Sequence, residues 1–235
     1  MADYKYNRIL LKLSGEAISG QGSIIDFDFL EKIAATLVSL AKDGVEIGVI
    51  IGAGNIWRGR SSGDMDRSTA DSMGMLGTVI NALAAKDAVI KAGGKAVVMT
   101  STFMEPYARR YSADLARQAL AEGNIVFFGG GTGNPYFSTD TAGILRANEI
   151  NADVFLLAKN IDGIYDRDPK KDKNAVFFEE ISYSEMISRN LKGIDLAASA
   201  LGSEFGPDAF AFLLSDTDDI VKAVKGVSRG TKITK

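Results

Sequence analysis

Three groups of residues carry types and spacings that can do chemistry. The stretch Phe128–Ala142 (FGGGTGNPYFSTDTA) places four glycines and a run of hydroxyl, amide and carboxylate side chains directly after the apolar run NIVFF (124–128). Lys12 stands in the apolar run ILLKL (9–13), just before Ser14-Gly15. Arg58 lies in GAGNIWRG (52–59), which follows VEIGVII (45–51). The chain has no histidine and no cysteine. That excludes thiolate chemistry, a disulfide framework, the usual zinc sites and serine–histidine triads. What remains is Lys, Arg, Asp, Glu, hydroxyls, backbone amides and an external metal ion.

Glycine lets backbone N–H groups approach an anion closely, and a helix N-terminus adds free amides and partial positive charge. One glycine-containing strand–loop–helix junction is equally well a tight turn. Three in one chain, with Lys12 and Arg58 beside them, point to phosphate. The Walker pattern is absent: its nearest approach, GVSRGTK (226–232), has Thr before Lys. The dinucleotide fingerprint fails at Trp57, where a glycine is required. Protein-kinase signatures are missing as well. A Lys and an Arg converging from two loops suit a transferring phosphoryl group, which needs positioning and electrostatic stabilisation. Asp140, after Ser138-Thr139, is a helix cap, a ligand contact or a group that orients Mg²⁺. Asp71, in TADSMGML, is a solvated helix position or a ligand contact. DGIYDRDP (162–169) is a surface turn or a wall for a nucleobase and ribose.

Apolar runs alternate with amphipathic stretches. Helical spacing spans 27–42, about 66–92, about 112–122, 138 to about 150, 182–204 and 216–225; strand-like runs are 9–13, 45–51, 95–100, 124–128, 153–158 and 209–214. In the second helix Met73, Leu76, Ile80, Leu83 and Ala84 share one side. This order predicts an α/β fold: a three-layer α/β/α sandwich around a mainly parallel sheet, with ligands at the carboxyl ends of the strands. At 235 residues a single domain suffices. Net charge is −3 with basic residues scattered, which argues against nucleic-acid binding. No apolar run approaches the roughly 20 residues of a membrane span, and the N-terminus has no signal-peptide core, so a cytoplasmic location is expected.

KLSGE, GAGNIWRG, ADSMGMLGT, GTGNPYFSTDTA and AKNIDGIYDRDP occur in that order. Together they resemble the bacterial UMP kinases (uridylate kinases) of the amino acid kinase superfamily, from about residue 8 to GTKIT near the C-terminus. The resemblance implies transfer of the ATP γ-phosphoryl to UMP with Mg²⁺, in pyrimidine nucleotide biosynthesis, with no direct protein ligand to the metal assigned. It implies catalytic roles for Lys12, Arg58 and Asp140. ATP is expected at Lys12, Leu13, Ser14, Gly15, Gly54, Arg58, Lys159, Asn160, Tyr165 and Asp168. UMP is expected at Ala53, Asp71, Thr132, Gly133, Asn134, Pro135, Tyr136, Phe137, Ser138 and Thr139. Relatives usually have Gly where Ala53 stands. About 1–150 would form the acceptor part and 151–235 the ATP part. The resemblance also implies a hexamer built as a trimer of dimers, with the long helix near 66–92 as a dimer contact. GTP activation and UTP inhibition are expected, with SGQGS (19–23) in the region of the GTP response. Two other readings stand beside it: another phosphotransferase of the superfamily, acting on a carboxylate, carbamate or isoprenoid phosphate, and a non-catalytic nucleotide or oxyanion binder on the same fold.

Overall fold

A computed structural model describes residues 4–20, 22–58 and 63–235. Gln21 of SGQGS and Gly59 of GAGNIWRG lie outside the described residues. In chain order the elements are β1 (Arg8–Leu13), α1 (Phe27–Lys42), β2 (Glu46–Ile51), α2 (Arg67–Lys91), β3 (Ala96–Thr100), β4 (Arg109–Arg110), α3 (Ala113–Ala121), β5 (Ile125–Gly129), α4 (Thr139–Glu149), β6 (Val154–Lys159), β7 (Ile164–Tyr165), β8 (Phe177–Phe178), β9 (Glu180–Ser182), α5 (Tyr183–Ser188), α6 (Leu196–Glu204), β10 (Ala209–Leu213), α7 (Asp218–Lys225) and β11 (Gly230–Thr234). A 3-10 turn, Gly15–Ile18, follows β1.

Among the described residues nine strands form one sheet, in the order β4-β3-β5-β2-β1-β6-β10-β11-β9. Every pairing from β4 to β10 is parallel; β11 runs antiparallel to β10, and β9 parallel to β11. β7 and β8 make a separate two-stranded hairpin. The central strands have helices on both faces, so they read as continuous apolar runs.

Side-chain alternation along β1 sets the site. Ile9, Leu11 and Leu13 enter the core shared with α1, α2 and α7. Leu10 enters the opposite core, shared with α3, α4, α5 and α6. Lys12, two residues after Leu10, therefore falls on the α4 side at the carboxyl end of the strand. The chain passes from β1 to β2 on one side and returns to β6 on the other. β1 is thus flanked by strands whose connections diverge, where a doubly wound sheet leaves a crevice.

The structure departs from the sequence expectation in four places. The helix expected over 182–204 is two helices. α5 ends in a left-handed residue, Asn190 (φ 52°), whose N–H donates to the Ile187 carbonyl while the Leu191 N–H donates to that of Met186. These two bonds close the helix, and Asp195 opens the next one by accepting from the Ala198 N–H. The Met73, Leu76 and Ile80 side of α2 faces outward; the buried side is Ala70, Gly77, Thr78, Val79, Asn81, Ala82, Ala85, Ala88 and Val89. Small residues let α2 lie close to the sheet. The same helix is long and apolar enough, by length and composition, to cross a membrane, contrary to the expectation that no segment approaches this. Its buried side packs against α1, β3 and β5. The short strands β4, β7, β8, β9 and β11 were not expected.

Candidate active site

Two clefts open along the carboxyl ends of β1, β2, β5 and β6. The first has a volume of about 730 Å³ and is lined by Ala53, Trp57, Asp71, Phe137, Ser138 and Thr139, among others. The second, about 980 Å³, is lined by Ser14, Arg58, Asn160, Tyr165, Asp166 and Asp168, among others. Lys12, Lys159, Asn190, Leu191, Lys192 and Gly193 line both. Two lysines at the ends of neighbouring parallel strands therefore stand where the clefts meet.

Lys12 Nζ lies 3.1 Å from Asp140 Oδ1, with both side chains largely buried. The pair follows from Lys12 facing α4 and from Asp140 sitting in the first turn of that helix. Ser138 caps α4: its hydroxyl oxygen accepts from the N–H groups of Asp140 and Thr141 at 2.9 and 3.3 Å. Burial is the largest influence on Lys159 and pushes its pKa below the ordinary lysine value; Asp140 pulls it back up and Lys12 adds to the fall. A lysine so placed gains most when an anion arrives.

The loops after β1 and β2 touch. A Cβ on Gly15 would lie 2.3 Å from Asn55 Oδ1 and 2.7 Å from the Gly54 nitrogen, so only glycine fits there. Arg58 pairs with Glu16 across the same contact. Beneath it, the fully buried Asn81 donates to the Gly52 carbonyl at 2.8 Å, and its amide exchanges two hydrogen bonds with that of Asn55. Trp57 donates to the Ala70 carbonyl at 2.9 Å. The methyl of Ala53 sits against Gly77 of α2, where an added Cβ would approach it to 2.9 Å. Gly77, directly after MGML, thus makes room for the alanine in GAGN.

On the far wall of the first cleft, Asp71 accepts from Arg67 Nε and from the Tyr136 N–H, each at 2.8 Å. Tyr136 takes the left-handed conformation (φ 72°), as do Gly130, Gly131 and Gly133. The loop turns sharply and delivers Phe137, Ser138 and Thr139 to the cleft. Thr132, Gly133, Asn134, Pro135 and Tyr136 form the loop before them and are not among its lining residues. Leu13 and Gly15 are buried, so they can offer a ligand backbone only. Gly54, expected with Arg58 on the second cleft, lines the first. In the second cleft, Tyr165 donates to Asp162 at 2.8 Å and packs edge-on against Phe177. Arg229 reaches back to Asp162 at 3.2 Å and lies over the Phe177 ring.

Sequence reasoning missed the connector between α5 and α6, which it read as helix. Asp195 accepts from the hydroxyls of Ser138 and Thr141 and so joins the start of α6 to that of α4. Asn190, sited as a left-handed helix stop, was the available signal. Asn81 and Asn55 were equally silent, because a buried amide pair has no sequence signature.

The amino acid kinase family model matches residues 7–222. The UMP kinase of Bacillus anthracis superposes with a TM-score of 0.92 at 35% identity, over 97% of this chain and 96% of that one. The UMP kinase of Ureaplasma parvum gives 0.92 at 33%, over 98% and 100%. The uridylate kinase of Archaeoglobus fulgidus gives 0.73 at 26%, over 96% and 99%. With its fold, its strand-end lysines and this match over nearly its whole length, the chain belongs to the amino acid kinase family.

Proposed function

We propose that this protein is a UMP kinase: it transfers the γ-phosphoryl of ATP to the phosphate of UMP, giving UDP and ADP. The observation that carries this reading is the shared position of Lys12 and Lys159 where the two clefts meet. The similarity to UMP kinases over whole chains supports the choice of acceptor. UMP occupies the first cleft and ATP the second. An oxygen of the UMP phosphate attacks the γ-phosphorus, the bond from that phosphorus to the β-γ bridging oxygen breaks, and ADP leaves. The attacking phosphate is mostly dianionic at pH 7, so no strong general base is required. This fits a chain without histidine. The harder task is to bring two polyanions together, and Lys12, Lys159 and Arg58 do so by neutralising charge.

Asp140 keeps Lys12 oriented. Asp71, Phe137, Ser138 and Thr139 hold the acceptor, with Ala53 at its phosphate; Ser14, Asn160, Tyr165 and Asp168 hold the donor. About 1–150 supplies most of the acceptor part and 151–235 most of the ATP part. Asp140 faces the two lysines, and among the described residues no group of three or more metal-ligating side chains stands together, which suits an Mg²⁺ ion arriving on the nucleotide phosphates better than one held in a protein cage. When bound, that ion adds positive charge on the phosphates. The outward face of α2, with Leu76 and Ile80 half exposed, supports a dimer contact within a hexamer. GTP activation, UTP inhibition and a cytoplasmic role in pyrimidine nucleotide biosynthesis complete the reading.

The deciding experiment is ADP release from Mg-ATP with UMP, CMP, dUMP or no acceptor, each with and without GTP. Fast release with UMP alone is expected. No release with any nucleotide from folded protein would overturn the proposal and direct attention to other acceptors of the family. Sedimentation as a monomer at assay concentration would reject the hexamer.

A further inference from the structure

We infer that Lys192, on the connector between α5 and α6, is a third phosphate-contacting cation that serves both nucleotides at once. The inference rests on the phosphoryl-transfer reading of the two clefts. Lys192 lines both of them, as Lys12 and Lys159 do. The other two come from the ends of β1 and β6, whereas Lys192 comes from a connector with no place in the sheet.

The connector holds this lysine in place. On its N-terminal side the α5 stop fixes Asn190 and Leu191 through two backbone hydrogen bonds of 3.1 and 3.0 Å. Next to Lys192, Gly193 packs so closely that a Cβ would lie 2.2 Å from Ile164 Cδ1 and 2.9 Å from Met186 Cε. Ile164 begins the hairpin that walls the donor cleft. Ile194 is buried, and Asp195 is tied to Ser138 and Thr141 at the acceptor end of α4. Lys192 is therefore an exposed cation between a donor-side anchor and an acceptor-side anchor.

Charge separates it from its neighbours. Lys12 already has a carboxylate, Asp140, and Arg58 has Glu16. Among the described residues Lys192 makes no ion pair. Among the described residues three lysines and no carboxylate line both clefts, and phosphate groups supply the missing negative charge. An ammonium on a long flexible stem suits phosphates whose charge moves from donor to acceptor during transfer.

The test compares wild type with Lys192→Ala, Lys192→Gln and Lys192→Arg by two-substrate kinetics at several salt concentrations. Loss of the charge is expected to lower kcat/KM for ATP and for UMP together, each by about tenfold or more, with a shallower salt dependence than wild type. Arginine should restore most of it, and the thermal midpoints should not differ. Unchanged kcat/KM for both nucleotides in the alanine variant would overturn the inference. So would a loss confined to one nucleotide, or an equal loss in the arginine variant with a lowered midpoint. If wild type itself released no ADP with UMP, the functional reading would fail instead. Calorimetric binding of inorganic tripolyphosphate to wild type and Lys192→Ala would then still decide the lysine: weaker binding by the variant supports it, equal binding rejects it.

Discussion

The two clefts are built from different materials. The first cleft, proposed for the acceptor, rests on buried polar groups: Asn81 on the Gly52 carbonyl and Asn55, Thr78 accepting from the Gly130 N–H at 2.9 Å, and Trp57 on the Ala70 carbonyl. The second cleft, proposed for the donor, is walled by a hairpin of two-residue strands held by more exposed ion pairs, Arg167 with Asp166 and Asp172, and Arg229 with Asp162. A buried hydrogen bond fixes geometry, because leaving its partner unpaired is costly; an exposed ion pair contributes little and is screened by salt. On the proposed function, the acceptor wall is accordingly expected to be the firmer of the two and the donor wall the more adaptable. A polyphosphate chain can be held largely by charge, whereas a small acceptor must be recognised by shape.

The largest effect belongs to the residues the clefts share. Lys12→Ala should lower kcat by a factor on the order of 10² to 10³, the range for removing one preorganised charge-stabilising donor. Circular dichroism and the thermal midpoint should stay near wild type. Unchanged turnover would remove the junction from the mechanism.

Asn81→Ala should destabilise the protein by about 2–3 kcal/mol. It takes the Asn81 donor away from the Gly52 carbonyl and the Asn55 Oδ1, and each such group left unpaired costs roughly 1–3 kcal/mol. Denaturant unfolding measures this. A loss below about 0.5 kcal/mol, within the ordinary surface range, would show that the acceptor wall is no firmer than the donor wall.

A third effect is a pH dependence. Lys159 has a folded pKa below the unfolded 10.5, so between the two values the unfolded chain binds the extra proton. Stability contributed through this group is therefore gained as pH rises through the lowered folded value toward 10.5. Activity is expected to run the other way: on the proposed function the cationic form clamps phosphate, so kcat/KM should fall on an alkaline limb that begins below the ordinary lysine range. Lys159→Met should flatten the stability profile over that window. A wild-type limb at or above 10.5 would contradict the buried placement.

The smallest expected effect is at Arg229→Ala. Its side chain is 72% exposed, so the pair with Asp162 should contribute less than about 1 kcal/mol to stability. The change should show as a modest rise in the KM for ATP with that for UMP unaltered. A larger fall in stability than for Asn81→Ala would reverse the contrast between the two walls.

Much of this was legible in the sequence, because it follows from short-range rules. Apolar runs of five to seven residues became β1, β2, β5, β6 and β10, and helical spacing placed α1 and α4 within a residue or so of their ends. Glycine loops after those strands, and Lys12 two positions from Leu10, marked one end of the sheet. Periodicity shows that α2 has two faces but not which one is covered. Its larger apolar residues turned outward because glycine and alanine allow the closer approach to the sheet.

The sequence by itself determined the order of strands and helices, the chemistry left to a chain without histidine or cysteine, and the loops where that chemistry must lie. Backbone preference and side-chain period are local and can be read along the chain. Only the tertiary structure decided that Lys12 meets Asp140, that Asn81 supports the loop carrying Ala53 and Arg58, and that residues 190–195 leave the helix to stand between the clefts. Those outcomes depend on contacts between segments tens to more than a hundred residues apart, where burial and hydrogen-bond satisfaction, rather than local propensity, select the arrangement.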